Sequence, residues 1–237
     1  MDYTRRVKTF GFIDLNKPSG CSSAVFVAKI KRLTGQPCGH LGTLDPLASG
    51  VLPIGIGNAN RLFNYFLNKD KEYIARFKFG ETSDTLDSTG KIETGGEVPS
   101  ETEIMSVLPD FLGEIEQVPP KYSAKSVGGR RGYALARAGV EFSLAPKRVR
   151  VDCFELLGRG ESENEFEFKI RCGAGTYIRS LARDLAAALD TQGLMSALVR
   201  TKSGCFTLEN AVAPETLTEE KKAEIKKLLK ENNLEVS

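Results

Sequence analysis

Gly39-His40-Leu41-Gly42-Thr43-Leu44-Asp45-Pro46-Leu47-Ala48-Ser49-Gly50 is the stretch on which the reading of this chain turns. It holds the one histidine of the 237 residues and an aspartate set between Leu44 and Pro46. The proline steers the preceding residue, Asp45, out of the α region into an extended or turn conformation. Glycines at 39, 42 and 50 give the backbone freedom on both sides. A carboxylate on such a loop needs solvent, a partner or a task. Taken alone, an Asp-Pro turn carrying a solvated acid is the simpler reading, so the flanks must decide.

Upstream, residues 10–16 read as a short strand closed by Lys17-Pro18-Ser19-Gly20. Ser22 or Ser23 then caps a helix with Phe26, Ile30 and Leu33 on its apolar face, and Gly35 ends it. Downstream, residues 51–56 form an apolar strand and residues 60–67 a helix. Residues 71–80 alternate, with Tyr73, Ala75, Phe77 and Phe79 inward and Ile74, Arg76 and Lys78 outward. A polar turn region spans 80–90, Ser100 and Glu103 fit a capping box, and Pro119-Pro120 forces 117–124 to be extended. Residues 133–138 suit a short helix, and 149–157 and 165–172 two strands. In the second, Phe166, Phe168, Ile170 and Cys172 face in and Glu165, Glu167, Lys169 and Arg171 out. Residues 176–189 give the clearest helix, 195–201 and 204–208 a last strand pair, and 218–230 a charged helix. Strands and helices mix without βαβ regularity, which predicts an α+β fold with a mixed, mostly antiparallel central sheet flanked by helices and loops.

Composition is that of an ordinary globular protein, 41% hydrophobic and 27% charged, with no apolar run approaching the ~18 residues of a membrane span. The basic start is too short and polar for a signal peptide, so a cytoplasmic location is expected. Five scattered cysteines without CxxC spacing argue against disulfides and, beside a single histidine, against a metal site. No nucleotide or cofactor motif is present, so an enzyme built on this chain is expected to work with side chains alone. The net charge of +2 conceals a block: residues 121–150 hold eight basic residues against Glu141 alone. That footprint suits a polyanion.

Residues 39–52 resemble the catalytic segment (GHxGTLDPxAxGVL) of the TruB family of tRNA pseudouridine synthases. Five further stretches follow the family's order: Lys17-Pro18-Ser19-Gly20 (KPxG), Lys71-Glu72-Tyr73 at the strand tyrosine, residues 80–90 (GxxTDTxDxxG), residues 117–124 (QxPPxYSA) and Gly175-Thr176-Tyr177-Ile178-Arg179 (GTYIR). The resemblance implies the pseudouridine synthase fold, with a catalytic cleft across the sheet. It also implies cofactor-free isomerisation of uridine to pseudouridine at position 55 in the T arm of tRNA. Asp45 matches the essential aspartate, as nucleophile or as acid/base. Arg179 matches the arginine that pairs with it, and Tyr73 the ring that stacks on the extruded base. His40 matches the histidine filling space near the flipped nucleotide, and Leu198 an apolar residue packing on the base. Tyr177, Tyr122 and Lys17 are further pocket or RNA-facing groups. The basic block corresponds to a flap closing over RNA, with Arg130, Arg131 and Arg148 as its clamp and glycines 128, 129 and 132 allowing movement.

The resemblance sets a catalytic domain over 1–210, with the clamp at about 121–150, and a charged tail over 211–237 in place of the family's C-terminal RNA-binding domain. A monomer acting on the T stem-loop without a guide RNA is expected. Leu41 replaces a common threonine and Val199 a common arginine. Two rivals share these residues. One is an RNA-binding or tRNA-folding protein without catalysis. The other is a hydrolase pairing Asp45 with Asp84 or Asp87.

Overall fold

Strand β3 (Ser49–Ile56) is apolar along its length and almost wholly buried, so it needs partners on both edges. The computed structural model describes residues 11–123, 126–127, 130–131, 142 and 144–220. On one edge β1 (Gly11–Lys17) runs antiparallel to β3, from Gly11 opposite Ile56 to Lys17 opposite Gly50. On the other, β2 (Cys38–His40) pairs antiparallel with residues 54–56. Val199 and Arg200 pair parallel with Ser49 and Gly50. These elements belong to the first of two compact units, which comprises described residues 11–71 and 199–220. Helix α1 (Ser23–Thr34) buries Phe26, Ile30 and Leu33 as expected. It stops at Gly35, whose left-handed φ of 66° lets its N–H return to the Lys31 carbonyl. Ser22 holds the N-cap position but makes no side-chain cap. The expected helix over 60–67 is in fact a 3-10 stretch, Gly57–Leu62, followed by a short α2 (Phe63–Leu67). Phe66 from α2 packs edge-on against Phe12 with centroids 4.9 Å apart.

The second unit comprises residues 72–198. Strand β4 (Lys71–Phe79) shows the expected alternation without a break, with Tyr73, Ala75, Phe77 and Phe79 buried. A hairpin of β5 (Glu81–Ser83) and β6 (Ile92–Thr94) follows, with β5 inside the region 80–90 expected to be a turn and β6 just beyond it. Helix α3 (Glu101–Val107) opens with the expected capping box. Strand β7 (Gly113–Gln117) was not expected from the sequence. The described part of the basic block includes a two-residue ladder, β8 (Ser126–Val127) with β9 (Arg130–Arg131). The helix expected at 133–138 and most of the tail helix lie outside the described residues. Strand β10 (Lys147–Arg159) is longer than expected and pairs antiparallel with both β7 and β11 (Glu165–Cys172). Helix α4 (Ile178–Ala188) buries Ile178, Leu181, Ala182 and Leu185. Strand β12 (Gly193–Ser203) gives its first six residues to this unit, and its last five, with β13 (Phe206–Thr207), to the first. In the second unit the strand order is β12-β4-β11-β10-β7 around a core of Phe77, Phe79, Phe154, Phe166 and Phe168.

One face differs from expectation. Glu165, read as outward, is buried; its carboxylate accepts from Ser196 Oγ at 2.6 Å and from the Glu161 N–H at 2.8 Å. Those two donors replace the water it gives up.

Candidate active site

Residues 41–48 have no regular secondary structure, so their carbonyls must find donors elsewhere. Each carbonyl from 42 to 48 does. Arg200 donates to Gly42 (3.1 Å) and Thr43 (3.4 Å), and Ser23 Oγ to Leu44 (2.9 Å). The Ala48 N–H donates to Asp45 (3.1 Å), and the Gly20 N–H and Lys17 Nζ to Pro46 (2.8 and 3.3 Å). Ser19 Oγ donates to Leu47 (2.6 Å), and Lys17 Nζ to Ala48 (2.5 Å). Ser23 Oγ also accepts from the Leu44 N–H at 3.1 Å, clasping the residue before Asp45 on both sides. The half-buried Asp45 thus sits on a loop whose path is fixed through its main chain.

Lys17 is a correction to the sequence reading. It is fully buried, and its ammonium bonds the carbonyls of Pro18, Pro46 and Ala48, so it braces the loop instead of facing RNA. Burial pushes its pKa below the ordinary lysine value, with Arg200 adding to the effect and Cys21 and Asp45 opposing it. Asp45 is therefore close enough to Lys17 to exert a charge effect. His40 is half-buried at the end of β2, opposite Ile54.

The second unit carries the other expected residues. Tyr73 is 8% exposed, on the inward face of β4, and Leu198 is 7% exposed, on β12. Arg179, in the first turn of α4, is 6% exposed. Its guanidinium donates to the carbonyls of Thr85 (2.9 Å) and Tyr122 (3.0 Å) and lies 3.7 Å from Asp87 Oδ2. Asp87 is buried in turn. Its Oδ1 accepts from Thr85 Oγ1 (2.8 Å), the Thr89 N–H (3.0 Å) and Thr89 Oγ1 (2.5 Å). This network occupies Asp87 and removes it as the free acid that the hydrolase reading requires. Asp84 is exposed, and its Oδ1 accepts from the Lys91 N–H.

Tyr177 is half-buried at the N-cap of α4. Its N–H donates to Gln117 Oε1 (2.8 Å) and its carbonyl accepts from Gln117 Nε2 (3.1 Å). The buried Gln117 side chain thus imitates a strand neighbour and fixes where α4 begins. Ser180 Oγ and Arg183 both donate to the Val118 carbonyl. The sequence offers Ser23 only as a possible helix cap and assigns no role to Gln117 or Arg200. The partners of Ser23, Gln117 and Arg200 are main-chain atoms, which a sequence does not display. Tyr122 is half-buried, with its hydroxyl 3.4 Å from Asp84 Oδ2.

Of the expected clamp, Arg130 and Arg131 form β9, and Arg148 is exposed on β10 opposite Glu116. Arg150 lies opposite Glu114, so part of the block's positive charge faces carboxylates across the ladder. Among the described residues no cluster of His, Cys, Asp or Glu could hold a metal ion, and no helix is long and apolar enough to cross a membrane. All five cysteines are free thiols.

Residues 31–178 match the family model described as TruB family pseudouridylate synthase, N-terminal domain. This chain belongs to the TruB family. It is 44% identical over 207 residues to the tRNA pseudouridine synthase B of Synechocystis sp., covering 86% of this chain and 70% of that protein. With the enzyme of the same name from Anaplasma phagocytophilum it shares 40% identity over 226 residues, 95% of this chain and 73% of the relative. Among solved structures, it resembles a chain of a Cbf5-Nop10-Gar1 complex with a TM-score of 0.67 and 33% identity, covering 87% of this chain and 53% of that one. A chain of an H/ACA RNP bound to a substrate RNA containing 2'-deoxyuridine gives a TM-score of 0.65 at 30% identity, over 97% of this chain and 57% of that one. The chain thus spans little more than half the length of these solved relatives. The fold is the pseudouridine synthase fold, and the protein is an enzyme of that family.

Proposed function

We propose that this TruB-family chain converts uridine to pseudouridine in the T arm of tRNA, at position 55, without a cofactor. The observation that carries this reading is the Asp45 loop, where seven consecutive carbonyls have donors and one acidic side chain is presented. A protein that only binds RNA has no need of an acid held in this way.

Isomerisation breaks the C1′–N1 bond of the nucleoside, turns the base and forms C1′–C5. The proton on C5 leaves and N1 ends protonated, so no atom is gained or lost. A carboxylate can serve as nucleophile in the first step or as base in the last, and Asp45 is assigned that place. Tyr73 offers an aromatic face to a base drawn out of its stack. Arg179 is assigned as the cation of the site, held in one rotamer by Thr85, Tyr122 and Asp87. The described part of the basic segment supplies phosphate-binding charge without reading sequence.

The test is incubation with unmodified T-arm RNA followed by digestion to nucleosides. Pseudouridine should form, and Asp45→Asn should lower its rate by at least about 10²-fold. Unchanged uridine with the parent protein would indicate a binding protein, and abasic RNA a hydrolase. Full activity in Asp45→Asn would remove the aspartate from the mechanism.

A further inference from the structure

Arg200 is 1% exposed, yet it lies outside every motif that carries the family resemblance. Its guanidinium has five donors in a rigid fork. Nε reaches the Val51 carbonyl (2.8 Å), Nη2 that of Gly42 (3.1 Å) and Nη1 that of Thr43 (3.4 Å). Val51 is where the chain leaves the Asp45 loop, and Gly42 and Thr43 are where it enters. One planar group therefore spans the mouth of the loop. The Arg200 backbone is itself fixed against β3 through its parallel pairing with Gly50. The approach is so close that a Cβ on Gly50 would lie 2.3 Å from the Arg200 carbonyl oxygen. Gly50 also has φ +95°, which disfavours any side chain there. Burying a cation is costly, and an apolar residue of similar size would fill the same space more cheaply. What the guanidinium adds is direction.

We propose that Arg200 is a positioning residue for the isomerisation, setting the path of the Asp45 loop by bridging its entry and exit carbonyls. The inference rests on the proposed activity for its kinetic consequence but not for its structural one. The test therefore has two arms, both on the full chain, comparing Arg200→Lys and Arg200→Met with the parent.

In the first arm, Arg200→Met should lower kcat on T-arm RNA about 100-fold, with KM changed less than about threefold, because displacing a reacting group by ~1 Å costs on that order. Arg200→Lys, which keeps the charge and some donors, should recover about tenfold of that loss. In the second arm, hydrogen exchange read by mass spectrometry should speed up at least tenfold in peptides covering 41–51 in both variants. Peptides from β10 and β11 should be unchanged. The Leu44 and Ala48 amides, bonded to Ser23 Oγ and the Asp45 carbonyl, are the reporters.

Unchanged exchange at 41–51, or loss confined to KM, overturns the proposal. So does global unfolding of Arg200→Lys, which would make the residue a general core element. If the parent makes no pseudouridine but exchange at 41–51 changes as expected, the proposed activity fails and the positioning of the loop stands.

Discussion

Asp14 sits on β1 opposite Pro53, with neither carboxylate oxygen hydrogen-bonded and both out of reach of solvent. The Thr207 backbone and the Arg200 charge lie near enough to favour its ionised form. Burial outweighs both, and its pKa is raised to about 6 from the ordinary 3.8. Between those two values the folded chain keeps a proton that the unfolded chain releases. Stability therefore falls as pH rises from about 4 to about 6, and the cost is complete above that window. Asp14→Asn should raise Tm at pH 7.5 by about 2–4 °C, with the gain fading toward pH 4 in a melting series. A gain independent of pH would place the effect elsewhere. Residues of this type mark the limit of what the sequence could tell. Asp45, Tyr73 and Arg179 stand out as candidates because the family's motifs write them as side chains in recognisable order. The bracing by Lys17 and Arg200 is not written there, because they spend their charge on carbonyls that every residue carries. A lysine that opens a motif reads as exposed until its burial is known.

The elements that the sequence announced most clearly are those whose period matches their surroundings. Strand β4 alternates for nine residues, and α4 keeps its apolar stripe at helical spacing. In α3 the reciprocal bonds of the capping box form as expected: Glu103 N–H to Ser100 Oγ (3.2 Å) and Ser100 N–H to Glu103 Oε2 (2.8 Å). The Ser100 amide and hydroxyl hold the Glu103 carboxyl below its ordinary pKa. That contribution is present at neutral pH and is lost as pH falls through the folded value. Ser100→Ala should lower Tm at pH 7 by about 2–4 °C. The deficit should shrink below about pH 4, where the unperturbed carboxylate would also be protonated. Strand β7 was missed because its sequence, Gly-Glu-Ile-Glu-Gln, carries one apolar residue and is held by pairing with β10. Glu165 was misplaced because alternation assigns a face but cannot see the two donors waiting there.

Taken over the whole molecule, a net charge of +2 is a poor guide to its dealings with RNA, because residues 121–150 carry +7 and the rest of the chain −5. The cross-strand facing of Arg148 and Arg150 with Glu116 and Glu114 discounts part of that. Arg130 and Arg131 are thus expected to matter more than Arg148. Replacing both with glutamine should weaken binding to T-arm RNA and to unrelated stem-loops alike. The slope of log affinity against log salt should flatten by about 0.7–0.9 per phosphate contact removed. A sequence-selective loss would argue for base reading instead. The Asp45 loop also bears on how this chain can change over generations. Its path is specified by carbonyls, which no substitution removes, and by donors at positions 17, 19, 20, 23 and 200. Thr43 enters this network through its carbonyl, while a change at Arg200, more than 150 residues away, is expected to redraw the loop. The heritable information for the catalytic loop is thus stored largely outside it.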